Sequence, residues 1–475
     1  MATKKDLVEA YSFSRRRLVT AFVSGAPGGR EVEPARPGRT IVGGIALAVL
    51  LMAGAAIAGV FNPRTSIDFN EPAFIIAKDK GSIYVIIDPR PGDTEPTLRP
   101  VTNVTSAQLI LGADIEPVQV PLDEINEHDT GPTIGILDAP ATVPEESRLI
   151  QNGWTSCTGT DHGIKTHVSE DPQVTPTPDA GFVVEREGEY FLIAEEPATA
   201  TRPARAYRYR LPGNDSLNSD LQVDLSEDAI EVPGQWLSLF DAGGSLDAEG
   251  LNLAGARDRP SFPGSEKLPG RAKIGDYYFD VNNRPRVITQ DGVATFSDFA
   301  FRVLRRTEFG GKLPKKRPVD SDADLPSVTP PYEMVEAHWP VSTLSPADDQ
   351  LCAELRAERE GRPGVLLAQA PNGEASAEDV DPGDKEAAVD SGHGAYVMSG
   401  GWGESADSAE PYLIDERGRG YPLAGPGTAG KLGYTDEDWV LVPDSWVELF
   451  DGGVELSEDA ALCPPTAEQG EQTCR

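Results

Sequence analysis

The chain has 475 residues, with 42 Lys and Arg against 77 Asp and Glu and a formal net charge of −35. So large an acidic excess excludes a nucleic-acid-binding surface, and 39% hydrophobic content leaves ample chain for a packed core. The 41 Pro and 48 Gly call for many turns between short elements, which predicts a β-rich α+β protein and not a helical bundle.

From Asp6 to Gly25, Leu7, Tyr11, Leu18 and Phe22 recur near the helical period with Arg15, Arg16 and Arg17 beside them. This predicts an amphipathic helix that lies on an anionic leaflet or docks a partner helix. Glu31 to Arg39, with Pro34 and Pro37, is a stiff connector. Thr40 to Phe61 then passes without a charge. At about 1.5 Å per residue, Ile41 to Phe61 as a helix is roughly 32 Å long, enough for a hydrocarbon core of about 30 Å. Lys4, Lys5, Arg15, Arg16, Arg17, Arg30, Arg36 and Arg39 all precede it, so the positive-inside rule places the N-terminus in the cytoplasm and the bulk outside. A cleaved signal peptide ending near Ala56-Ile57-Ala58 is the rival, against which stand the long leader and the long apolar run. The first 61 residues carry about +4, leaving about −39 beyond the span.

Past the span, Phe74 to Ile76 and Tyr84 to Ile87 read as strands, Lys78 to Gly81 as a turn, and Val104 to Leu111 as a helix. Linkers fall at Ser169 to Gly181, Lys312 to Tyr332 and Ala370 to Gly392. The most informative pattern is internal: Val232 to Leu246 matches Val442 to Leu456 without a gap, with eight of fifteen positions identical. In each copy Pro opens a short helix, Trp236, Leu239 and Phe240 or Trp446, Leu449 and Phe450 form its apolar face as a repeat core, and Gly stops it. Each copy follows β-like text, Tyr190 to Ile193 and Tyr207 to Leu211 before the first, Tyr412 to Ile414 and Gly420 to Leu423 before the second. Looser relatives at Tyr277 to Leu304 and Tyr84 to Gly112 give up to four strand–strand–helix modules around a central part.

Cys157, Cys352, Cys463 and Cys474 all follow the span, which invites disulfides. Three pairings are open. Pairing the close Cys463 and Cys474 would staple a C-terminal loop and leave Cys157 with Cys352, a closure worth roughly 4 to 5 kcal/mol in the chain-entropy model.

Asp6-Leu7-Val8, the block Ser14 to Arg30, Pro37-Gly38-Arg39 before the span, Asn103 to Gly112 and Trp154-Thr155-Ser156-Cys157 together resemble the EccB family. That family comprises single-pass membrane components of actinobacterial type VII (ESX) secretion. The resemblance reaches about Leu456. It implies a cytoplasmic N-terminal helix, one transmembrane helix, and an elongated extracytoplasmic domain with a central core and about four β-rich repeats similar to a phage-lysin wall-binding subunit. It also implies a Cys157–Cys352 disulfide, whereas Cys463 and Cys474 depart from the family pattern. The expected division is 1–39 cytoplasmic helix and connector, 40–61 span, 62–127 first repeat, and 128–180 core. The rest divides into 181–257 second repeat, 258–311 third repeat, 312–392 core with linkers, 393–457 fourth repeat and 458–475 tail. Expected partners are other membrane subunits of the secretion complex, further copies of the chain, and the cell wall.

Members of the family have been labelled ATPases, so phosphate-binding sequence matters. Gly425 to Lys431 satisfies G-x-x-x-x-G-K, with Gly425, Gly430 and Lys431 as candidate cofactor-binding residues. Leu432 then stands where a Ser or Thr should hold magnesium, and Pro426 removes a backbone donor, so a glycine-rich turn is the expected reading. Cys157, His162 and His167 would be a metal set only without a disulfide, and Asp320, Asp322 and Asp324 lack the Gly and Glu of a calcium loop. The expectation is a structural subunit of the secretion channel, without catalytic residues, cofactor or metal. The alternatives are an ATP-binding and hydrolysing component and a wall-binding module.

Overall fold

The computed structural model describes residues 4–24, 67–89 and 96–466, apart from 201, 214, 224, 226–228, 252, 309–310, 312–324, 329–337, 348–349, 360, 371–372 and 374. The expected span at 40–61 lies outside these residues. Among the described residues no helix is long and apolar enough to cross a membrane. Two units divide at Ile67 and Asp68. In the first, α1 (Lys4–Ser24) is 21 residues long. Leu7, Tyr11, Leu18 and Phe22 fall within about 60° of arc at 100° per residue. All four are exposed, Phe22 at 93%.

The second unit opens with an antiparallel meander of β1 (Ala73–Ala77), β2 (Ile83–Ile87) and β3 (Thr97–Val101). Helix α2 (Val104–Leu111) follows, started by Asn103 accepting from the Ser106 N–H at 2.8 Å and ended at Gly112. Then β4 (Val118–Val120) pairs parallel to β1, the one-turn helix α3 (Leu122–Ile125) follows, and parallel bridges join Leu98 to Thr130 and Val101 to Ile134.

After β5 (Trp154–Gly159), β6 (Ile164–Val168) and β7 (Thr175–Pro176), the same sequence of elements recurs. A meander of β8 (Ala180–Arg186), β9 (Glu189–Glu196) and β10 (Arg205–Arg210) leads to helix α4 (Asp215–Leu221). Then β11 (Ile230–Glu231) runs parallel to β8, α5 (Gly234–Leu237) makes one turn, and β12 (Asp241–Ser245) runs parallel to β10. A shorter version has β13 (Tyr277–Phe279), β14 (Pro285–Ile288), β15 (Val293–Ala294), helix α6 (Asp298–Leu304) and a parallel bridge from Val293 to Ser327.

The chain next places β16 (Ser345–Pro346) beside β8 and completes a central sheet with β17 (Gln350–Arg356), β18 (Gly364–Gln369) and β19 (Lys385–Val389). That sheet has the order β19-β6-β5-β17-β18-β7. The last full version runs through β20 (Ala395–Gly400), β21 (Glu410–Ile414), β22 (Arg419–Pro422) and α7 (Thr428–Lys431). It continues with β23 (Val440–Pro443) parallel to β20, α8 (Asp444–Val447), β24 (Asp451–Gly452) parallel to β22, and α9 (Glu458–Ala461).

The class is therefore mixed α+β and rich in strands. The module itself is larger than strand–strand–helix: it is a three-stranded meander, a helix, a parallel edge strand, a one-turn helix and a second parallel edge. The additional strands are two to five residues long, too short to leave a readable period-2 pattern.

Four modules and a central sheet share three large cores. One joins the central strands to the second and fourth modules, including Trp154, Phe182, Trp236, Leu367, Val397 and Trp446. Another joins the second module to the third through Leu217, Tyr209, Phe299 and Trp339. The remaining one joins the fourth to the first through Phe74, Leu109, Tyr396 and Tyr421. Burial thus connects the parts in the order first, fourth, centre, second, third. The hydrophobic driving force therefore acts between neighbouring modules as well as within each one.

Candidate functional site

The two motif copies sit where modules meet the central sheet. Pro233 and Pro443 cap their helices with φ of −60° and −62°, and both helices last a single turn. Leu239, Phe240, Leu449 and Phe450 therefore follow the helix; they do not lie on its face. The chain must leave the helix at once to pair β12 with β10 and β24 with β22. All six repeat-core residues are buried. The Trp236 indole donates to the Ser156 carbonyl on β5 at 3.0 Å and its ring meets Phe240 edge-on at 5.2 Å. In the other copy Phe450 meets Trp154 of β5 edge-on at 5.4 Å, while the Trp446 N–H is buried without a partner.

The glycine shared by the copies does not stop a helix. A Cβ on Gly243 would lie 2.1 Å from the Tyr209 ring, and one on Gly453 would lie 2.4 Å from the Tyr421 ring. Each glycine lets the second parallel edge pass over the tyrosine of the meander's third strand. The structure adds a third copy that periodicity missed. Val120-Pro121 opens α3 with φ −58° and ψ 140° at Pro121. Glu124 stands there in the place of the tryptophan, and Ile125 is fully buried.

Cys157 and Cys352 face each other in register on β5 and β17 and form a disulfide 195 residues apart in sequence. Everything between these strands, including the second and third modules, is clasped at its base. Cys463 is disulfide-bonded and Cys474 lies outside the described residues. His167 Nε2 lies 3.3 Å from the Asp390 carboxylate, and among the described residues no group of metal-ligating side chains gathers. Asp320, Asp322 and Asp324 lie outside the described residues.

At the glycine-rich turn, Gly425 and Gly427 adopt φ of 90° and 83°, and Thr428 donates to the Ala424 carbonyl at 2.6 Å. Lys431 donates to the Ile110 carbonyl at 3.0 Å, in the last turn of α2. The ammonium thus satisfies the carbonyl end of a neighbouring helix and joins the fourth module to the first. The second and third modules are joined likewise. Arg302 of α6 donates to the Asp220 carbonyl near the end of α4, and Arg306 grips the Asp220 carboxylate at 2.7 and 2.8 Å. Donation from Arg306 holds the Asp220 carboxyl below the usual range, against a smaller opposing effect of burial. Arg15, Arg16 and Arg17 are exposed on α1.

A cleft that sequence reasoning did not find opens between the second module and the central sheet, about 180 Å³ in volume. Glu196, at the end of β9, holds Arg202 at 2.9 Å and the His338 Nδ1 at 2.8 Å. The His338 ring stacks on Tyr207 at 4.6 Å. Burial pushes the Tyr207 phenol up, with the Glu196 charge adding to it, so the hydroxyl stays protonated. Arg205, Arg362 and Trp402 complete the walls. These residues come from five separated stretches and form no local motif.

Comparison with known proteins adds the following. A family model described as "Type VII secretion system ESX-1, transport TM domain B" matches residues 1–466. The "ESX-1 secretion system ATPase EccB1" of Mycolicibacterium smegmatis (strain MKD8) is 25% identical over 451 residues, covering 89% of this chain and 87% of its own. The protein of the same name from Mycobacterium tuberculosis (strain CDC 1551 / Oshkosh) is 24% identical, covering 97% and 94%. Among solved structures, a chain of "an intact ESX-5 inner membrane complex" aligns with a TM-score of 0.57 at 20% identity, covering 100% of this chain and 98% of that one. A chain of the "EccB3 dimer from the ESX-3 core complex" aligns with a TM-score of 0.60 at 18% identity, covering 82% and 100%. These last two likenesses establish a shared fold.

Proposed function

The chain belongs to the EccB family of type VII secretion, and from that premise we propose that it is a membrane-anchored structural subunit of a secretion channel complex. The observation that carries this reading is the extent of the family match, 466 of 475 residues, which takes in the basic helix, the apolar stretch and the modules together. In this reading 40–61 is the single span, α1 lies in the cytoplasm and contacts other membrane subunits through its exposed apolar face, and the acidic remainder lies outside. The four repeats are 62–127, 181–257, 258–311 and 393–457, with the core parts 128–180 and 312–392 between them and 458–475 as a tail. The parallel bridges at Thr130 and Ile134 support extending the first repeat to Ile134. Self-association of the outer part is consistent with the dimer named for the ESX-3 relative.

Deleting Asp6 to Gly25 tests the cytoplasmic contact. The variant is expected to separate from the membrane complex on a native gel, and unchanged co-migration overturns that part. The word ATPase in the relatives' names supplies a second reading. It requires Lys431 to leave the Ile110 carbonyl, and a nucleotide turnover abolished by Lys431→Ala with an unchanged fold would favour it over the structural role.

A further inference from the structure

We propose that the cleft between β10 and the start of β18 binds a single carboxylate group, carried by a small acid or by a peptide end. Three guanidinium groups, Arg202, Arg205 and Arg362, line it in a chain whose net charge is −35. Arg202 is already paired with Glu196 at 2.9 Å. The other two are not balanced in this way. Arg205 donates through Nη2 to the Arg362 carbonyl and its side chain also bonds Tyr207, while its Nε is covered by Gly364. Among the described residues neither Arg205 nor Arg362 forms an ion pair. Arg205 packs over Gly364, which leaves room for it. A Cβ on Gly364 would lie 2.8 Å from Arg205 Cγ and 3.0 Å from its Nε.

A guanidinium without an ion-pair partner favours an anion beside it, and its N–H groups match a planar carboxylate in both geometry and charge. Charge selects the class of anion. Glu196 and Asp241 also border the cleft, so the three arginines exceed the carboxylates by about one charge. That suits a monoanion better than a dianionic phosphate. The cleft volume of about 180 Å³ has room for a carboxylate and a short side chain. Pro363 and Trp402 supply an apolar wall, and Trp402 is steadied by its donation to the Ser238 carbonyl at 3.4 Å.

The test is isothermal titration of the full-length chain in detergent with N-acetylalanine, a tripeptide with a free C-terminus, the same tripeptide amidated, and inorganic phosphate. Saturable binding of N-acetylalanine or the free tripeptide, with none for the amide, is expected. Which of the two binds more tightly identifies the source of the carboxylate. Arg362→Ala, at an exposed position, should leave the melting temperature unchanged and weaken binding about tenfold or more. Arg205→Lys, which keeps the charge but loses the fork, should also weaken it. No saturable binding of either acid, equal binding of the amide, tighter binding of phosphate, or unchanged affinity in Arg362→Ala would each overturn the proposal.

Discussion

At Gly243 and Gly453 a missing side chain is a packing requirement. Replacing either by Ala drives a methyl group into a tyrosine ring that is itself buried and hydrogen-bonded, Tyr209 to the His338 carbonyl and Tyr421 to the Asp415 carboxylate at 3.2 Å. Each substitution should cost about 1 to 3 kcal/mol, read as a drop in the denaturation midpoint. The tryptophans offer a finer comparison. Trp236 donates a hydrogen bond and Trp446 does not, although both are fully buried. Trp236→Phe should therefore destabilise by about 1 kcal/mol more than Trp446→Phe, and either Trp→Ala by about 3 to 5 kcal/mol. Equal costs for the two Phe variants would show that the Ser156 bond contributes nothing. The glycines and tryptophans were visible in the sequence as a repeat. The purpose of the glycine was not, because a helix stop and a close approach ask for the same residue.

Between elements, the recurring device is a cation on the last turn of a partner's helix. Asp220 serves as the acceptor between α4 and α6. Its carboxyl is held below the ordinary Asp value of 3.8, so the stability it contributes is complete above that value. It is lost as pH falls through the lower folded value. Melting temperatures of the wild type and Asp220→Asn should differ at neutral pH and converge in strong acid. A difference that persists at the lowest pH would show that shape, not charge, holds the helices together. Lys431→Ala should speed amide exchange in Val104 to Leu111, the helix whose end it caps. Two hairpins use a shared clamp as well. Asp280 accepts from Asn282 and Arg284 backbone N–H groups, and Asp415 from those of Arg417 and Arg419, with Asn283 and Gly418 left-handed at φ 61° and 69°. These hairpins, Asp-Val-Asn-Asn-Arg and Asp-Glu-Arg-Gly-Arg, share only their first and last residues, so no pattern search would pair them.

Across the whole molecule, the Cys157–Cys352 bond closes a loop of 195 residues that contains the second and third modules. Replacing both cysteines by Ala should lower stability by roughly 4 to 5 kcal/mol if unfolded-chain entropy dominates, measured by denaturant unfolding. A much smaller loss would mean that the pairing of β5 with β17 already orders the insertion. The sequence by itself determined the charge asymmetry, the apolar stretch, the strand-rich class, the apolar stripe on α1 and the motif shared by two of the modules. Each of these is written in composition or in a local period, where neighbouring residues share one environment. The tertiary structure alone decided that the repeated tryptophans pack against the central sheet, that Lys431 caps a distant helix, that short parallel edges complete each module, and that five separated stretches make the arginine cleft. Those outcomes depend on which surfaces meet, and the chain carries no local signal of a contact made between residues tens to hundreds of positions apart.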